Sequence, residues 1–196
     1  MAFIRSTFYF ILLFFGSCSE TPNVEKVPIA KRVVPSQSLL SQKTNEKKKL
    51  SEYEFFKSPI AELIPNVNVY SYDVNTPLFS DYASKKRFVF LPKDSQMEFS
   101  QIENTLLFET GSILIKNFYY PISKNEERII ETRLLIKEKE GWKPLNYIWN
   151  TEQTDASLNY IGADIEVEWM NSHEEIQKVN YSVPNQNQCK NCHISG

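Results

Sequence analysis

The feature that most constrains the fold is an alternation of apolar and charged side chains over residues 130–137. Successive residues of a strand point to opposite faces of a sheet. One face would carry Ile130, Thr132, Leu134 and Ile136, and the other would carry Glu131, Arg133 and Lys137. A turn at Glu140 and Gly141 follows, and Leu145, Tyr147 and Trp149 then alternate. This pattern predicts a β-hairpin.

A second hairpin and several shorter segments extend the same pattern. The second hairpin pairs Ile165, Val167 and Trp169 with Val179, Tyr181 and Val183 across a turn at residues 171–175. Further strand candidates are residues 87–91, 105–108 and 112–120. Roughly seven short strands with little helical periodicity predict a mainly β fold. We expect a β-sandwich-like domain with short N-terminal helices and a C-terminal segment that carries the last two cysteines.

The ordered domain is expected to begin at Leu50. Ser51 and Glu54 have the spacing of a capping box, which predicts that a short helix starts there. Pro59 should end this helix, because proline cannot continue it. The β-rich domain is therefore assigned to residues 50–184, a length sufficient for one core.

The N-terminus has the organisation of an export signal. Arg5 precedes an apolar run at residues 8–15, and Gly16 and Ser17 place small residues before Cys18. The run is shorter than the ~20 apolar residues that a membrane-spanning helix needs. Residues 1–17 are therefore predicted to be a signal peptide. The sequence before Cys18 resembles a bacterial lipobox, in which Cys18 becomes the lipid-modified first residue, and the alternative is an ordinary signal peptide cut nearby.

Residues 18–49 are predicted to be a flexible tether carrying this lipid. They contain three prolines, a run of lysines at 47–49 and no sustained apolar periodicity. The chain has a formal net charge of −2 at pH 7, and loss of Arg5 with the signal peptide lowers it by one, which does not favour nucleic-acid binding. We expect a protein of the bacterial cell envelope, held to a membrane through its N-terminal lipid and facing the periplasm or the cell surface.

The last segment, residues 185–196, contains the most specific motif of the chain. Cys189, Cys192 and His193 have the spacing Cys-x-x-Cys-His, which is the attachment pattern of haem c. The two thiols add to different vinyl groups of one porphyrin, and the adjacent histidine binds the iron axially. The motif predicts one covalently bound haem c. With Cys18 assigned to the lipid, all three cysteines of the chain have a role.

Other interpretations of the two C-terminal cysteines stay open. A redox dithiol, with a pKa tuned by His193, usually opens a helix within a βαβ unit, and the sequence predicts no such unit. A zinc site needs four ligands, and the only other histidine of the sequence is His173. A plain disulfide between Cys189 and Cys192, or a chance clustering, is the remaining alternative.

Two further groups of side chains are candidates for ligand contacts. The first group is aromatic and consists of Trp149, Trp169, Tyr147 and Phe118. Aromatic residues on alternating strands are more often part of a core than of a ligand groove. The second group follows a strand end and consists of Asn150, Glu152, Gln153, Thr154 and Asp155. A polar turn is the favoured interpretation, no catalytic residue is assigned, and we expect an electron carrier or a binding protein rather than an enzyme.

Several stretches of the chain resemble a family of exported bacterial haem c proteins, which are cytochrome c-like and of poorly defined role. The matching stretches are LSEYEFF at 50–56, NTPLFSDY at 75–82, KRFVFLP at 86–92, residues 111–121, ETRLL at 131–135, YIWNTEQTD at 147–155 and VPNQNQ at 183–188. The resemblance spans residues 50–193. It implies haem binding at Cys189, Cys192 and His193, electron transfer and a redox partner protein of unknown identity, but no substrate.

Members of this family usually continue beyond the haem motif, whereas three residues follow His193 here. We therefore expect either a shortened cytochrome domain or a haem that lies against the β-rich domain with one face open. Candidates for a distal iron ligand are His173, Met170 and Met97. His173 and Met170 lie at a predicted turn that could approach the motif, but an exposed turn residue is the favoured interpretation. The competing hypothesis is a haem-free β-sandwich module that binds a carbohydrate or protein partner at the cell envelope. A thiol oxidoreductase with a reactive Cys189 is a third hypothesis.

Overall fold

The computed structural model describes residues 46–193, with side chains placed for residues 46–191, and all of them belong to one compact unit. The predicted signal peptide, the lipidation candidate Cys18 and the tether up to residue 45 lie outside the described residues. Within them the fold is mainly β, as predicted, and no helix is long and apolar enough to cross a membrane. The strands are β1 Val69–Tyr72, β2 Ser84–Phe90, β3 Met97–Ser100, β4 Thr105–Phe108, β5 Ile113–Ser123, β6 Glu126–Glu138, β7 Gly141–Trp149, β8 Ala156–Asn159, β9 Ala163–Met170 and β10 Ile176–Val183. The helical segments are two 3₁₀ turns, Leu50–Tyr53 and Ile60–Glu62, and the helix α1, Gln186–His193.

Six strands form one antiparallel sheet in the order β1-β2-β5-β6-β7-β8. Both predicted hairpins are confirmed: β6 pairs with β7, with Leu134 opposite Leu145, and β9 pairs with β10, with Val167 opposite Val179. Strands β3 and β4 form a separate two-stranded hairpin. The sequence does not predict β1, β3 or β8, each of which has four residues. Of the four-residue strands only β4 is predicted, because its run of Leu106, Leu107 and Phe108 is apolar.

One face of the sheet packs against the segment that contains the 3₁₀ turns. Phe56 of this segment meets Phe88 of β2 edge to face, with ring centroids 5.0 Å apart. Tyr147 and Trp149 of β7 are buried in the same core, and Trp149 donates its indole N–H to Thr132 Oγ1 at 2.9 Å. The core interpretation of these aromatic residues is therefore confirmed.

The opposite face of the sheet is covered in part by the ribbon of β9 and β10. Phe118 and Tyr120 of β5 pack against Val167 and Tyr181 of the ribbon. The hydroxyl of Tyr181 donates to the carboxylate of Glu131 at 2.6 Å, and this carboxylate is fully buried. The ribbon therefore buries a charge that alternation alone would assign to a solvent-facing side of β6.

The predicted capping pair of Ser51 and Glu54 is wrong. Glu52 accepts the backbone N–H of Lys49 at 3.1 Å, so the acceptor at the start of this 3₁₀ turn lies two residues earlier than predicted. Glu54 ends the turn in a left-handed conformation. Ser51 donates its hydroxyl to Asp155 at 2.6 Å instead. A partner 104 residues away thus replaces the local one.

The fold also begins before the predicted boundary at Leu50. Residues 46–49, which the sequence assigns to the tether, lie along β8 and the adjacent strand. The N–H of Leu158 donates to the carbonyl of Lys48 at 3.0 Å. The Tyr147 hydroxyl donates to the backbone carbonyl of residue 47 at 2.8 Å. These contacts use backbone groups of lysines, so the polar composition of the segment gives no sign of them.

The favoured interpretation of residues 150–155 as a polar turn is confirmed. Asn150 Oδ1 accepts the backbone N–H groups of Thr154 and Asp155, at 2.9 and 3.3 Å. Gln153 closes the turn against β6, because its side chain bonds to both backbone groups of Ile129. The polar side chains of this segment therefore satisfy backbone groups of the turn and of its neighbours.

Candidate cofactor-binding site

The cysteine motif lies on helix α1, whose start is fixed by a capping box. Asn185 Oδ1 accepts the N–H of Gln188 at 3.0 Å, and Gln188 Oε1 accepts the N–H of Asn185 at 2.8 Å. This reciprocal pair satisfies donors that the start of a helix leaves unpaired. The residues Asn185 to Gln188 are therefore a helix-start signal immediately before the first cysteine.

The turn between β8 and β9 holds the start of α1 against the domain. The N–H of Gln186 donates to the carbonyl of Tyr160 at 3.0 Å. Gly162 has a φ of +82°, and a Cβ atom there would lie 2.6 Å from the carbonyl oxygen of Val183. A residue with a side chain would be strained by this φ and would collide with the backbone. Backbone contacts thus dock the helix.

Within α1, Cys189 and Cys192 lie three residues apart, which places them one turn apart on one helix face. The side chain of Cys189 is half-buried, and its Sγ atom lies 3.8 Å from Oδ1 of Asn146 on β7. Burial raises the pKa of this thiol, although the nearby guanidinium of Arg133 acts in the opposite direction. The side chains of Cys192 and His193 lie outside the described residues.

Cys189 lies on the wall of a cavity of about 370 Å³ that α1 shares with the sheet. The walls are mainly apolar and include Leu114 of β5, Leu135 of β6 and Pro144 of β7. This volume is within the range of small-molecule binding sites. The motif is therefore joined to a largely apolar space.

Three cations cross the same face of the sheet and line this cavity. The strand register places Arg87 opposite Lys116, and Lys116 opposite Arg133. Arg87 donates to Asp73 at 2.8 Å, and Arg133 Nε donates to Glu131 at 2.6 Å. Within the described part of the chain, no carboxylate forms an ion pair with Lys116.

The environment of Lys116 disfavours its charge. Burial, together with the neighbouring cations of Arg133, Arg87 and Lys85, lowers the pKa of its ammonium group to about 8. The ammonium lies 4.8 Å from the ring centroid of Phe118, a contact that compensates only in part. The sequence does not single out these cations, because each lies on a different strand and only the register brings them together.

Within residues 46–191, no group of three or more His, Cys, Asp or Glu side chains is placed to hold a metal ion. His173 is an exposed residue of the turn between β9 and β10, in agreement with the favoured interpretation, and Met170 ends β9 beside this turn. The turn lies at the far end of β10 from the start of α1, and the seven intervals between the eight residues of β10, at ~3.4 Å each, separate the two ends by about 24 Å. Met97 is exposed on β3 and does not line the cavity.

The residues around Cys189 fit the chemistry of an attached haem. The thiol lies beside an apolar wall against which a porphyrin face could pack, and the three cations carry the charge opposite to that of propionate groups. Helical spacing would present both cysteines of the motif to one edge of a ring.

No protein-family model, curated protein or solved structure matches this chain. The functional interpretation therefore depends on the motif and on the geometry around it. The resemblance to exported haem c proteins stays a prediction.

Proposed function

We propose that this protein binds one haem c covalently through Cys189 and Cys192, with His193 as an axial iron ligand, and that it takes part in single-electron transfer with a redox partner protein. The observation that best supports this function is the Cys-x-x-Cys-His motif on a capped helix whose first cysteine faces a largely apolar cavity. When bound, the haem would supply reversible one-electron exchange at its iron.

The chain's own residues would attach, orient and shield this group. Helix α1 would supply the two thiols from one face. Asn146 contacts Cys189 and donates its side-chain amide to the carbonyl of Pro184 at 2.7 Å, which keeps the start of α1 on β7. The apolar wall would exclude water from one side of the ring, and water exclusion is one of the factors that set a haem potential.

The environment of Cys189 favours this function over a thiol oxidoreductase. A nucleophilic cysteine needs a lowered pKa, because the thiolate is the reactive form. Burial raises the pKa of the Cys189 thiol instead, despite the proximity of Arg133. A half-buried thiol held in place by Asn146 is suited to permanent attachment of a group rather than to rapid thiol exchange.

We propose that the protein belongs among exported, lipid-anchored haem c proteins of the bacterial cell envelope. In this proposal Cys18 carries the lipid, residues 18–45 form the tether and the ribbon of β9 and β10 is the second layer of a β-sandwich. The lipobox-like sequence before Cys18 supports the first part. The packing of Phe118 against Tyr181 between sheet and ribbon supports the last.

The proposal is tested by expressing the full chain, with its signal, in a bacterium that has haem c maturation machinery. We expect the denatured protein to carry the added mass of one haem and to show a c-type α band in its reduced-minus-oxidised spectrum. Replacing both Cys189 and Cys192 by alanine should abolish both signals, whereas the matched Cys18→Ala chain should keep both haem signals and lose the lipid. An unmodified mass in the unsubstituted chain would contradict the proposal.

A haem-free binding module at the cell envelope is the second candidate function. The cavity favours it, because its apolar walls and cations could bind a small molecule whether or not a haem is attached. If the chain stays haem-free in the maturation-competent host and yet binds a small molecule in this cavity, the second candidate replaces the first.

A further inference from the structure

The cavity beside Cys189 contains more positive than negative charge. Of the three cations that line it, only Arg133 has a fully buried counter-charge, Glu131. Arg87 is paired with Asp73, whose side chain is 84% exposed and is therefore screened by water. Lys116 lies on β5, between Arg87 of β2 and Arg133 of β6. It has no carboxylate partner among residues 46–191.

A row of three cations on adjacent strands destabilises the fold when no anion is bound beside it. Like charges directly opposite one another on adjacent strands are destabilising, and burial disfavours an unpaired ammonium group further. The lowered pKa of Lys116 reports both effects. An anion bound between Arg87 and Lys116 would offset them, and charge-assisted hydrogen bonds inside a cavity are among the stronger polar contacts.

The apolar walls of the cavity indicate what the part of the ligand beyond its anionic group should be. Leu114, Leu135 and Pro144 give the cavity a mainly apolar surface beside the cations. A fully hydrated inorganic anion would leave this surface exposed to water, whereas a molecule with one charged end and an apolar body would cover it. The composition of the cavity thus matches an amphipathic anion.

We infer that the cavity is a carboxylate-binding site, in which Lys116 and Arg87 bind a carboxylate and Leu114, Leu135 and Pro144 contact the apolar body that bears it. Two sources could supply this chemistry. One is a propionate of the haem, and this source rests on the proposed function. The other is a free organic acid, which requires no haem.

The test uses octanoate as the probe and isothermal titration calorimetry as the measurement. The full chain is produced without haem attachment and kept reduced. We expect saturable octanoate binding that the Lys116→Gln substitution weakens by about tenfold or more. Lys57→Gln, which removes an exposed lysine from the segment on the opposite face of the sheet, should leave it unchanged. The neutral analogue octan-1-ol should bind equally to the unsubstituted and Lys116→Gln chains, which also shows that the cavity has not collapsed.

Absence of saturable octanoate binding, or equal binding by the unsubstituted and Lys116→Gln chains, would overturn the inference. The haem-loaded chain then identifies the source of the carboxylate. Loss of octanoate binding on haem attachment supports the propionate, and retained binding supports a free acid. If no haem attaches in a competent host, the proposed function fails, while octanoate binding that depends on Lys116 would still establish the carboxylate site.

Discussion

Lys116 ties the stability of the fold to pH. Burial and the neighbouring cations lower its pKa to about 8, whereas an exposed lysine titrates near 10.5. Between these values the unfolded chain binds more protons than the folded chain, so the contribution of this residue to the free energy of unfolding rises with pH. We predict that Lys116→Met stabilises the haem-free chain by about 1 kcal/mol at pH 7 and by less at pH 9.5. Urea unfolding at the two pH values measures this difference.

The difference in free energy of unfolding between the unsubstituted chain and the Lys116→Met chain reports on Lys116, because other groups that titrate in this range are common to both. Burial raises the pKa of the Cys189 thiol, which makes stability fall with rising pH, but this contribution is common to both chains. Lys57→Met is the matched control, because Lys57 is exposed and belongs to the segment on the opposite face of the sheet. A stabilisation by Lys116→Met that is the same at both pH values would contradict the prediction.

Thr132 connects two buried polar side chains within an otherwise apolar core. It accepts the indole N–H of Trp149 at 2.9 Å and donates its hydroxyl to Asn117 Oδ1 at 2.6 Å. We predict that Thr132→Val lowers the free energy of unfolding by ~2–3 kcal/mol, because it leaves the indole N–H of Trp149 and Oδ1 of Asn117 without a buried bond. The same substitution at the exposed Thr105 should change stability by less than about 0.5 kcal/mol. Equal losses at the two positions in urea unfolding would show that the buried bonds contribute nothing.

Helix α1 depends on the glycine that lets the β8–β9 turn approach it. A Cβ atom at Gly162 would lie 2.6 Å from the carbonyl oxygen of Val183, directly before the helix. We predict that Gly162→Ala destabilises the protein by ~1–3 kcal/mol and speeds hydrogen exchange of the α1 amides. Gly111→Ala is the control, since Gly111 also has a positive φ but its nearest contact is the side chain of Pro92. If both variants leave exchange in α1 equally slow, the turn does not hold the helix.

The elements that could be predicted from the sequence are those whose signals are local. Alternation and a compact turn predict the β6–β7 hairpin, and the same signals predict β9 and β10. The contacts of the 3₁₀ turn at Leu50–Tyr53 could not be predicted from local signals. Ser51 and Glu54 match the capping pattern, but Ser51 donates its hydroxyl to Asp155, which is far away in sequence. Alternation also separates the faces of β6 correctly but does not show that the ribbon buries Glu131.

At the scale of the whole molecule, the candidate site also combines a local sequence signal with contacts between residues that are distant in sequence. The Cys-x-x-Cys-His motif is contiguous, so its residues are visible in the sequence. The row of Arg87, Lys116 and Arg133 is assembled from three strands, and it forms only when the register of the sheet is set. The sequence therefore predicts the group that the site is proposed to attach, whereas the charge around the site could be recognised only from the fold.

The whole sheet also depends on residues 46–49, which cover its β8 edge. Their removal deprives Leu158 and Tyr147 of backbone acceptors and exposes an edge strand. We predict that the free energy of unfolding of a chain starting at Leu50 is ~2–3 kcal/mol lower than that of a chain starting at residue 46. Urea unfolding at neutral pH measures this difference.

The pH dependence of the stability lost with residues 46–49 tests the electrostatic contribution of Glu46. Although burial opposes the effect, hydrogen bonds with Lys143 and Tyr160 lower the pKa of Glu46 below 4.5. A carboxyl with a lowered pKa stabilises the fold above its unfolded pKa and loses this contribution as pH falls through the folded value. The difference between the two chains should therefore shrink as pH is lowered below about 4.5. Equal stability of the two chains at neutral pH would instead place the start of the fold at Leu50, because residues 46–49 would then contribute nothing.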